Sequence, residues 1–314
     1  MHSINQKAER LRELLDGPDG IELPGCFDVL SAMILERAGF DAVFMSGYGV
    51  AASLLGNPDI GLTSLLETAL VTKNISQAID LPVVVDADNG YGNEDNVVRT
   101  VHELEHAGAA AMILEDQVMP KRCGHAAGKA IIPLDQYMRK LECALDARRT
   151  PMCIVARTDA TSIDEGIMRA KRFHAAGADV TLVDGLASVE ALKRVGDEVP
   201  GHKVINLIHG GKTQLLPSKQ LHDLGFKIVL YSTPALYVAA NAMVKMMSVL
   251  RQTGELSSIS HESTTFRDFQ GFVEGRYFQR PGSERLSNAP ASAGSGAHLI
   301  DASRVMHDVR VRTA

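Results

Sequence analysis

The chain has 314 residues, of which 45% are hydrophobic and 22% charged, a balance typical of a globular protein with a sizeable core. Its formal net charge of −6 is spread along the chain, which argues against a nucleic-acid partner or an anionic membrane and favours a small-molecule ligand. The sequence contains no run of about 18 apolar residues and no C-x-x-C pair among its four cysteines. We therefore expect free thiols, no membrane partner, and a cytoplasmic or organelle-matrix protein.

The first predicted element is an amphipathic helix over residues 1–16. Beyond it, four helical runs end in a glycine, at Gly39, Gly108, Gly177 and Gly225, and a short β-rich run follows each glycine. Four further apolar runs bring the number of predicted strands to eight. In chain order these strands are Ile21–Leu23, Ala42–Met45, Val83–Val85, Ala111–Leu114, Cys153–Ala156, Val180–Val183, Val204–Leu207 and Ile228–Leu230.

Apolar strands that alternate with helices indicate a parallel sheet covered on both faces. Eight such units favour an α/β fold of the (β/α)8 TIM-type barrel class over a doubly wound open sheet, which would show the same local pattern. The strand count decides between the two, and the first strand is the weakest. Polar residues follow the predicted strands, where barrel enzymes carry their chemistry: Ser46, Asp86, Asp88, Glu115, Arg157, Asp184 and Asn206.

Two helices are predicted after the last strand. The second spans Thr264–Phe278 and carries an aromatic face, which needs a partner surface and favours packing on a neighbouring subunit. The stretch 280–296 is rich in Pro, Ser, Gly and Ala, as is typical of a flexible tail. We divide the chain into a catalytic barrel domain, residues 1–253, and a C-terminal helical extension with a flexible tail, residues 254–314. The aromatic face consists of Phe266, Phe269, Phe272 and Phe278.

Two carboxylates follow the third strand at a spacing of two residues, Asp86 and Asp88, which places both on one face. Glu115 and Asp116 add oxygen atoms at the end of the fourth strand. Desolvated carboxylates are costly unless they are neutralised. Mg²⁺ binds few carboxylates and retains water, so we expect it to be the bound ion, with Mn²⁺ as an alternative. The competing interpretation is that these acids cap helices or pair with Arg157.

The segment Lys121-Arg122-Cys123-Gly124-His125 lies in a loop after a proline. A thiol with three potential cations beside it is expected to ionise readily and to exchange a proton near neutral pH. Taken alone, the segment is equally well explained as a structural turn, but its position just after the acidic pair at the fourth strand favours catalysis. We expect Cys123 to be the acid–base residue, with Lys121 and His125 as further catalytic residues.

Arg157, at the end of the fifth strand, offers a planar donor that can hold a carboxylate in two hydrogen bonds. The alternative is an internal salt bridge to Asp159 or Glu115. The run Ser46-Gly47-Tyr48-Gly49 follows the second strand, and its backbone amides can cradle a carboxylate or phosphoryl group. The same run fits a loose dinucleotide-binding pattern, but Gly56-Asn57-Pro58 breaks the next helix too early to carry a pyrophosphate, which argues against a nicotinamide oxidoreductase.

Six motifs occur in order: Ser-Gly-Tyr-Gly, Gly-Asn-Pro-Asp, Asp-Ala-Asp-x-Gly-Tyr-Gly, Glu-Asp-Gln, Lys-Arg-Cys-Gly-His and Ala-Arg-Thr-Asp. From Leu23 to Tyr237 the chain thereby resembles the isocitrate lyase and phosphoenolpyruvate mutase superfamily, and looks most like its 2-methylisocitrate lyases and 2-alkylmalate lyases, including the plant petal death protein. The resemblance implies that Asp86 binds Mg²⁺ directly and that three further acidic residues of the metal site bind it largely through water. It also implies a homotetramer in which a C-terminal helix is swapped between neighbours. The other residues of the metal set are Asp59, Asp88 and Glu115.

The resemblance further implies a reaction. Arg157 and the metal would hold the 2-hydroxycarboxylate end of a di- or tricarboxylate, and loss of the hydroxyl proton would trigger retro-aldol cleavage. Cys123, on a mobile gating loop, would then protonate the departing carbanion. The products would be a 2-oxo acid such as pyruvate and a simple carboxylate. The substrate-binding residues expected from the family pattern and the strand ends are Ser46, Gly47, Tyr48, Asp184, Asn206 and His209.

Three residues depart from the family pattern and leave the substrate open. Asp184 stands where methylisocitrate lyases have a glutamate, His209 where alkylmalate lyases have one, and Tyr48 where bacterial methylisocitrate lyases have a glycine. We expect a 2-substituted malate of the 2-methylisocitrate or 2,3-dimethylmalate type, or a smaller alkylmalate. Hydrolysis of oxaloacetate to oxalate and acetate and mutase chemistry of the carboxyphosphonoenolpyruvate type remain as alternatives. A non-enzymatic barrel that only binds a metabolite would not need the thiol.

Overall fold

A computed structural model of the chain describes residues 4–257, 260 and 263–274. Eight parallel strands close into a barrel in chain order, and the first strand completes the ring by pairing with the eighth. All eight predicted strands are present, and the closed ring excludes the doubly wound sheet. The strands are β1 Ile21–Cys26, β2 Val43–Met45, β3 Val83–Asp86, β4 Ala111–Glu115, β5 Cys153–Thr158, β6 Val180–Val183, β7 His202–Leu207 and β8 Ile228–Tyr231.

Helices precede, connect and follow the strands. Each of the four predicted helix stops is a glycine with a φ between 86° and 101°, which ends a helix because other residues resist that conformation. Gly56, at φ 63°, likewise ends a π-helical turn over Ala51–Leu55. The α-helices are α1 Ile4–Asp16, α2 Val29–Arg37, α3 Gly47–Val50, α4 Leu65–Ala78, α5 Glu94–Ala107, α6 Leu134–Ala147, α7 Ile163–Ala175, α8 Val189–Glu198, α9 Ser218–Asp223, α10 Pro234–Thr253 and α11 Phe266–Glu274.

Helix α1 closes the N-terminal end of the barrel. Its Leu11 and Leu15 are buried in one apolar cluster with residues that begin strands, among them Ile21 and Ile228. Lys7, on the same helix, donates hydrogen bonds to backbone carbonyls near the end of α4. This end of the barrel is filled by apolar side chains, whereas the polar residues at the strand ends line a cavity at the other end.

The described residues divide into two compact units between Tyr237 and Val238. The second unit contains most of α10 and all of α11, so both predicted C-terminal helices are present. On α11, Phe266 is 84% exposed. Phe278 and the predicted tail over 280–296 lie outside the described residues. The domain boundary at residue 253 and the helix swap between subunits stay predictions.

Two further properties bear on the class of protein. Among the described residues, helices of the length and apolarity needed to span a bilayer do not occur. The four cysteines are free thiols, as expected; Cys26 and Cys153 are buried, and Cys123 and Cys143 are half-buried.

Candidate active site

The C-terminal ends of the strands surround a cavity with an apolar floor and a polar wall. The floor takes one side chain from each even-numbered strand, which is the layering expected inside such a barrel; these residues are Phe44, Ile113, Leu182 and Leu230. Sequence reasoning named every polar residue of the wall except Ser232. The polar wall consists of Ser46, Tyr48, Asp59, Asp86, Cys123, Arg157, Asp184, Asn206 and Ser232.

Two acids of the expected metal set end neighbouring strands. Asp86 is the last residue of β3 and Glu115 the last residue of β4, and both are buried. Asp88 follows in the left-handed region, at φ 47°, and Tyr91 shares that conformation at φ 61°. Left-handed backbone costs a non-glycine residue on the order of 1 kcal/mol or more and is kept where the surroundings fix the segment. The loop after β3 is therefore held in a strained form that directs Asp88 toward the other acids.

Burial acts strongly on these acids. It raises the pKa of Glu115 well above its usual range and the pKa of Asp88 to about 6, with Lys121 opposing the rise in both. Glu115 Oε1 is also buried and accepts no hydrogen bond. Carboxylates in such an environment are stable as anions only when a cation is close.

Lys121 supplies one such cation. Its Nζ lies 3.0 Å from Asp59 Oδ1 and 3.8 Å from Glu115 Oε1, and it donates a hydrogen bond to Asp88. Burial alone would lower the pKa of Lys121, but these acids raise it well above its usual range. Lys121 therefore belongs to the acidic group, and its ammonium is not part of the cavity wall.

The remaining oxygen atoms suit a divalent cation. Asp86 lines the cavity, and its Oδ2 lies so close to Gly47 that a Cβ there would come within 2.7 Å of it. Asp86 and the unpartnered oxygen of Glu115 are hard ligands of the kind that Mg²⁺ prefers. Within the described ranges, no three His, Cys, Asp or Glu side chains are grouped closely enough to hold a metal by themselves. The donor set thus fits an ion that binds one or two carboxylates and keeps most of its water, as Mg²⁺ does.

The cysteine motif lies on a loop over residues 118–130, which we call the cysteine loop. Its ends are joined by a hydrogen bond of 2.9 Å from the backbone N–H of Val118 to the carbonyl of Ala130. At its tip, Gly124 rests on the cavity wall so closely that a side chain there would overlap the carboxylate of Asp184. The cavity beneath measures about 30 Å³, which has room for a few water molecules only. The cavity is therefore smaller than a dicarboxylate when the loop lies in this position.

The thiol of Cys123 does not behave as its neighbours in the sequence led us to expect. Burial raises the pKa of Cys123, whereas three adjacent cations were expected to make the thiol ionise readily. The cations point elsewhere: Lys121 faces the acids, Arg122 is exposed, and His125 faces Asp184. Burial thus moves the pKa of Cys123 upward, opposite to the direction that its neighbours in the sequence led us to expect.

His125 is fixed between the cysteine loop and the barrel. Its Nε2 lies 3.5 Å from Asp184 Oδ1, and its Nδ1 accepts a hydrogen bond of 3.0 Å from the backbone N–H of Lys212. The side chain is 5% exposed. His125 does not line the cavity. It lies behind the cavity wall, next to Asp184.

Arg157 is surrounded by acids. Its Nε donates to Asp159 Oδ2 at 2.9 Å, and its Nη2 lies 2.9 Å from Asp184 Oδ2 and 3.3 Å from Glu115 Oε2. The internal salt bridge considered from the sequence is thus present, and Arg157 also lines the cavity. Burial alone would lower the pKa of Arg157, but Asp159 and Asp184 raise it well above its usual range. The guanidinium therefore offers a permanent positive charge at the cavity wall.

Asp159 is held by three different elements. Its backbone N–H donates to Asp116 Oδ1 at 2.9 Å, and its carboxylate accepts from both Arg157 and Lys129, the latter at 2.7 Å. The side chains of Lys129 and Asp159 are 3% and 0% exposed. Sequence reasoning did not assign Lys129 to the site, because nothing in the pattern distinguishes a lysine six residues after Cys123. Asp159 could have been assigned to the site from the sequence, because it stands two residues after Arg157 in the same motif.

Asp184, Asn206 and Ser232 form a chain of hydrogen bonds along the wall. Asn206 Nδ2 donates to Asp184 Oδ1 at 3.2 Å, and Ser232 Oγ donates to Asn206 Oδ1 at 2.5 Å. Burial would raise the pKa of Asp184, but Arg157 lowers it below its usual range, so this carboxylate is ionised. Ser232 follows β8 directly, and the strand-end rule that identified the other residues would have found it.

The segment after β2 completes the wall. Ser46 starts α3 by accepting a hydrogen bond of 3.2 Å from the backbone N–H of Gly49. Tyr48 packs edge-on against Tyr237 with ring centroids 6.2 Å apart, and a hydrogen bond with Tyr237, together with burial, raises the pKa of Tyr48 to about 12. His209 is exposed and lies outside the wall, so the structure does not bring it to the cavity.

Comparison with known proteins supports the resemblance found in the sequence. The family model described as phosphoenolpyruvate phosphomutase matches residues 11–251. The 2,3-dimethylmalate lyase of Eubacterium barkeri is 40% identical over 85% of this chain and 93% of that protein. The 2-methylisocitrate lyase of Aeropyrum pernix is 36% identical over 84% of this chain and 86% of that protein.

The fold has a similar counterpart among solved structures. Oxaloacetate acetylhydrolase in complex with the inhibitor 3,3-difluorooxalacetate superposes with a TM-score of 0.82 at 30% sequence identity, over 87% of this chain and 94% of that one. The relatives are named as lyases and the family model as a mutase, and the match covers the whole barrel. This chain therefore belongs to the phosphoenolpyruvate mutase/isocitrate lyase superfamily and is an enzyme that cleaves carbon–carbon bonds.

Proposed function

We propose that this enzyme is a Mg²⁺-dependent lyase that cleaves a 2-substituted malate, of the 2,3-dimethylmalate or 2-methylisocitrate type, into pyruvate and a simple carboxylate. The observation that carries the proposal is the position of Cys123, whose side chain lines the same small cavity as Arg157 and Asp86. One cavity thus combines a proton donor, a cation for a carboxylate and oxygen ligands for a metal. The names of two similar proteins support the substrate type.

Asp86 is the residue that would hold the metal directly, and Asp59, Asp88 and Glu115 would act largely through water. Bound there, Mg²⁺ or Mn²⁺ would supply Lewis-acid stabilisation of negative charge on the 2-hydroxycarboxylate end of the substrate. Lys121 neutralises part of this acidic group, since its ammonium lies between Asp59 and Asp88. A divalent ion would neutralise two of the three formal negative charges that Lys121 leaves on the four acids.

Arg157 binds a substrate carboxylate, for which its planar guanidinium is suited. Ser46, Gly47 and Tyr48 contact the same end of the substrate through backbone and side chain. Asp184 and Asn206 face the cavity from the opposite strands and orient the hydroxyl group. His209 has no place in this arrangement, because it is exposed.

Cleavage breaks the bond between C2 and C3 of the malate. The hydroxyl proton passes to water, C2 becomes the keto carbon of pyruvate, and the electron pair of the broken bond remains on C3. The thiol of Cys123 then gives its proton to C3, so the second product is released as a saturated carboxylate. The raised pKa of Cys123 supports this direction of transfer, because the thiol keeps its proton until a strongly basic carbanion appears.

The arm of the substrate at C3 is met by the side chains that depart from the family pattern. Tyr48 fills part of the wall and is steadied by Tyr237. Asp184 is already engaged by Arg157 at 2.9 Å. The ring of Tyr48 takes up room at the wall, which favours a short arm, such as the methyl group of a dimethylmalate, over the carboxymethyl arm of 2-methylisocitrate.

Hydrolysis of oxaloacetate to oxalate and acetate is the second candidate. It uses the same carboxylate-binding and metal-binding groups, and the similarity to oxaloacetate acetylhydrolase at a TM-score of 0.82 favours it. Mutase chemistry of the carboxyphosphonoenolpyruvate type is the third, because that branch of the family shares the cysteine motif and the matching family model is described as a phosphomutase.

The products distinguish these candidates. The purified enzyme is incubated with Mg²⁺ and, separately, with 2,3-dimethylmalate, 2-methylisocitrate, a shorter alkylmalate and oxaloacetate, and the products are identified by mass spectrometry. We expect pyruvate from a 2-substituted malate and loss of activity in EDTA, with recovery on adding Mg²⁺. Oxalate and acetate from oxaloacetate, with no pyruvate from any malate, would replace the lyase by the hydrolase.

We further propose that the enzyme is a cytoplasmic homotetramer whose C-terminal helix, within residues 254–314, packs on a neighbouring barrel. The exposed apolar side chains of α10 and α11 support an interface between subunits. They include Val238, Met243, Val244, Met247 and Phe266.

A further inference from the structure

The cysteine loop contacts a segment that is distant in sequence, residues 209–213 between β7 and α9. The backbone N–H of Lys212 donates to His125 Nδ1 at 3.0 Å, and Lys212 Nζ donates to the carbonyl oxygen of Ala126 at 2.9 Å. Both acceptors lie within three residues of Cys123. The segment is therefore in contact with the part of the loop that carries the thiol.

Gly211 makes this contact possible. A Cβ at this position would overlap the imidazole ring of His125 at Nδ1 and would stand 3.0 Å from the carbonyl oxygen of Ile208. The backbone cannot retreat freely, because the N–H of Gly211 is hydrogen-bonded to the same carbonyl at 2.9 Å. Only a residue without a side chain lets the ring lie against the segment.

The contact also fixes the tautomer of His125. A backbone N–H can only donate, so the ring nitrogen that faces Lys212 carries no proton, and the proton of the neutral ring resides on Nε2. That atom is buried, makes no hydrogen bond of normal length and points at Asp184 Oδ1 from 3.5 Å. The donor of the ring is thus directed at an ionised carboxylate of the cavity wall.

We propose that Gly211 and Lys212 are positioning residues that form a seat for the cysteine loop. The seat holds His125 as its Nε2–H tautomer toward Asp184 and, through the two-residue link to Cys123, keeps the thiol over the cavity. The role of the seat in catalysis rests on the proposed lyase function, but the seating itself does not depend on which substrate is cleaved.

The test measures how often the loop leaves its seat. The full-length enzyme, without substrate, is treated with iodoacetamide, and alkylation of Cys123 is followed by mass spectrometry of its peptide. In Gly211→Ala the loop should leave the seat more often, and we expect alkylation to be faster by about tenfold or more. Alkylation of Cys143, on α6, serves as the internal reference and should not change.

Gly210→Ala is the matched control. Gly210 has a φ of 75°, so alanine there strains the backbone, but a Cβ would meet nothing within 4 Å. This variant should alkylate within about twofold of the wild type, because it adds strain without touching His125. If Gly210→Ala and Gly211→Ala alkylate equally fast, the contact with the ring is not the cause and the seat is refuted.

Lys212→Met keeps the proposal testable should Gly211→Ala fail to fold, because Lys212 is exposed. It removes the bond to Ala126 and should speed alkylation of Cys123 by about threefold, and Lys212→Arg should restore the wild-type rate. With a substrate in hand, Gly211→Ala should lower kcat more than it raises KM. Unchanged alkylation in both Gly211→Ala and Lys212→Met would overturn the seat, whereas absence of cleavage of any malate by the wild type would overturn only the lyase.

Discussion

Lys129 connects the cysteine loop to the arginine that we propose binds substrate. Its ammonium and the guanidinium of Arg157 share the carboxylate of Asp159, which is fully buried. A carboxylate shared between two cations binds each of them less tightly than it would bind one alone. Lys129 therefore leaves more of the charge of Arg157 available to a ligand in the cavity.

Lys129→Met tests this arrangement. Loss of the ammonium leaves Asp159 to Arg157 alone and removes a positive charge from the surroundings of an anionic substrate, so we expect KM to rise by about tenfold or more, with a smaller change in kcat. The measurement is steady-state kinetics of the cleavage reaction. Arg122→Met, an exposed cation on the same loop, should leave KM unchanged, and Lys129→Arg should recover most of the loss. If both methionine variants raised KM equally, Lys129 would act only through its positive charge and not through its contact with Asp159.

The ionisation of Cys123 gives a second prediction at this scale. Thiolate is the form that iodoacetamide attacks, and burial raises the pKa of Cys123 above its ordinary value of 9.0. In EDTA, the alkylation rate should therefore rise steadily with pH, about tenfold per unit, without levelling off below pH 9. A plateau near pH 7 would mean that the neighbouring cations do lower the pKa, as the sequence alone suggested.

Among the helices and strands, helix α1 contributes most clearly to stability, because it closes the N-terminal end of the barrel. Leu11 is 2% exposed and packs with Leu15 and the first residues of the strands. We expect Leu11→Ala to lower the free energy of unfolding by about 2–5 kcal/mol, because the cavity it leaves lies between a helix and a closed barrel that cannot collapse onto it. Urea unfolding followed by circular dichroism measures the change. Glu13→Ala, exposed on the same helix, should change stability by less than about 0.5 kcal/mol.

The strands were predicted well at their apolar centres and less well at their ends. β1 runs on through Pro24 and Gly25 to Cys26, although proline and glycine are poor strand formers. Gly25 is required there, because it pairs with Phe44 of β2 while a Cβ would overlap the carbonyl oxygen of Ser232. Barrel closure therefore overrides local preference, which a reading of single segments does not capture.

The same distinction explains which site residues were found. Residues at the C-terminal ends of strands, such as Asp86 and Arg157, were predicted because the barrel assembles all strand ends in one place. Gly211 and Lys129 were missed because their contacts depend on how the loops fold over that place. His125 and Lys212, for example, are 87 residues apart. The direction of the shift in the pKa of Cys123 was missed for the same reason, since it depends on burial by the closed loop.

At the scale of the whole molecule, the proposal of a homotetramer gives a prediction about mass. The chain has a mass of 33.8 kDa, and sedimentation equilibrium should return about four times that value. Replacement of the exposed apolar residues Met243, Val244 and Met247 by glutamate should shift the protein toward smaller species, because charged side chains are costly in a subunit interface. A wild-type protein that sediments as a monomer at micromolar concentration would contradict the tetramer while leaving the barrel and its site unaffected.

The central claim is that Cys123 delivers a proton in a carbon–carbon cleavage. The most direct measurement compares the wild type with Cys123→Ser for release of pyruvate from 2,3-dimethylmalate in the presence of Mg²⁺. Serine has nearly the same size as cysteine but is a far weaker acid. We therefore expect kcat to fall by about a hundredfold or more while KM stays within about threefold. Equal rates of pyruvate release from the two proteins would contradict the claim.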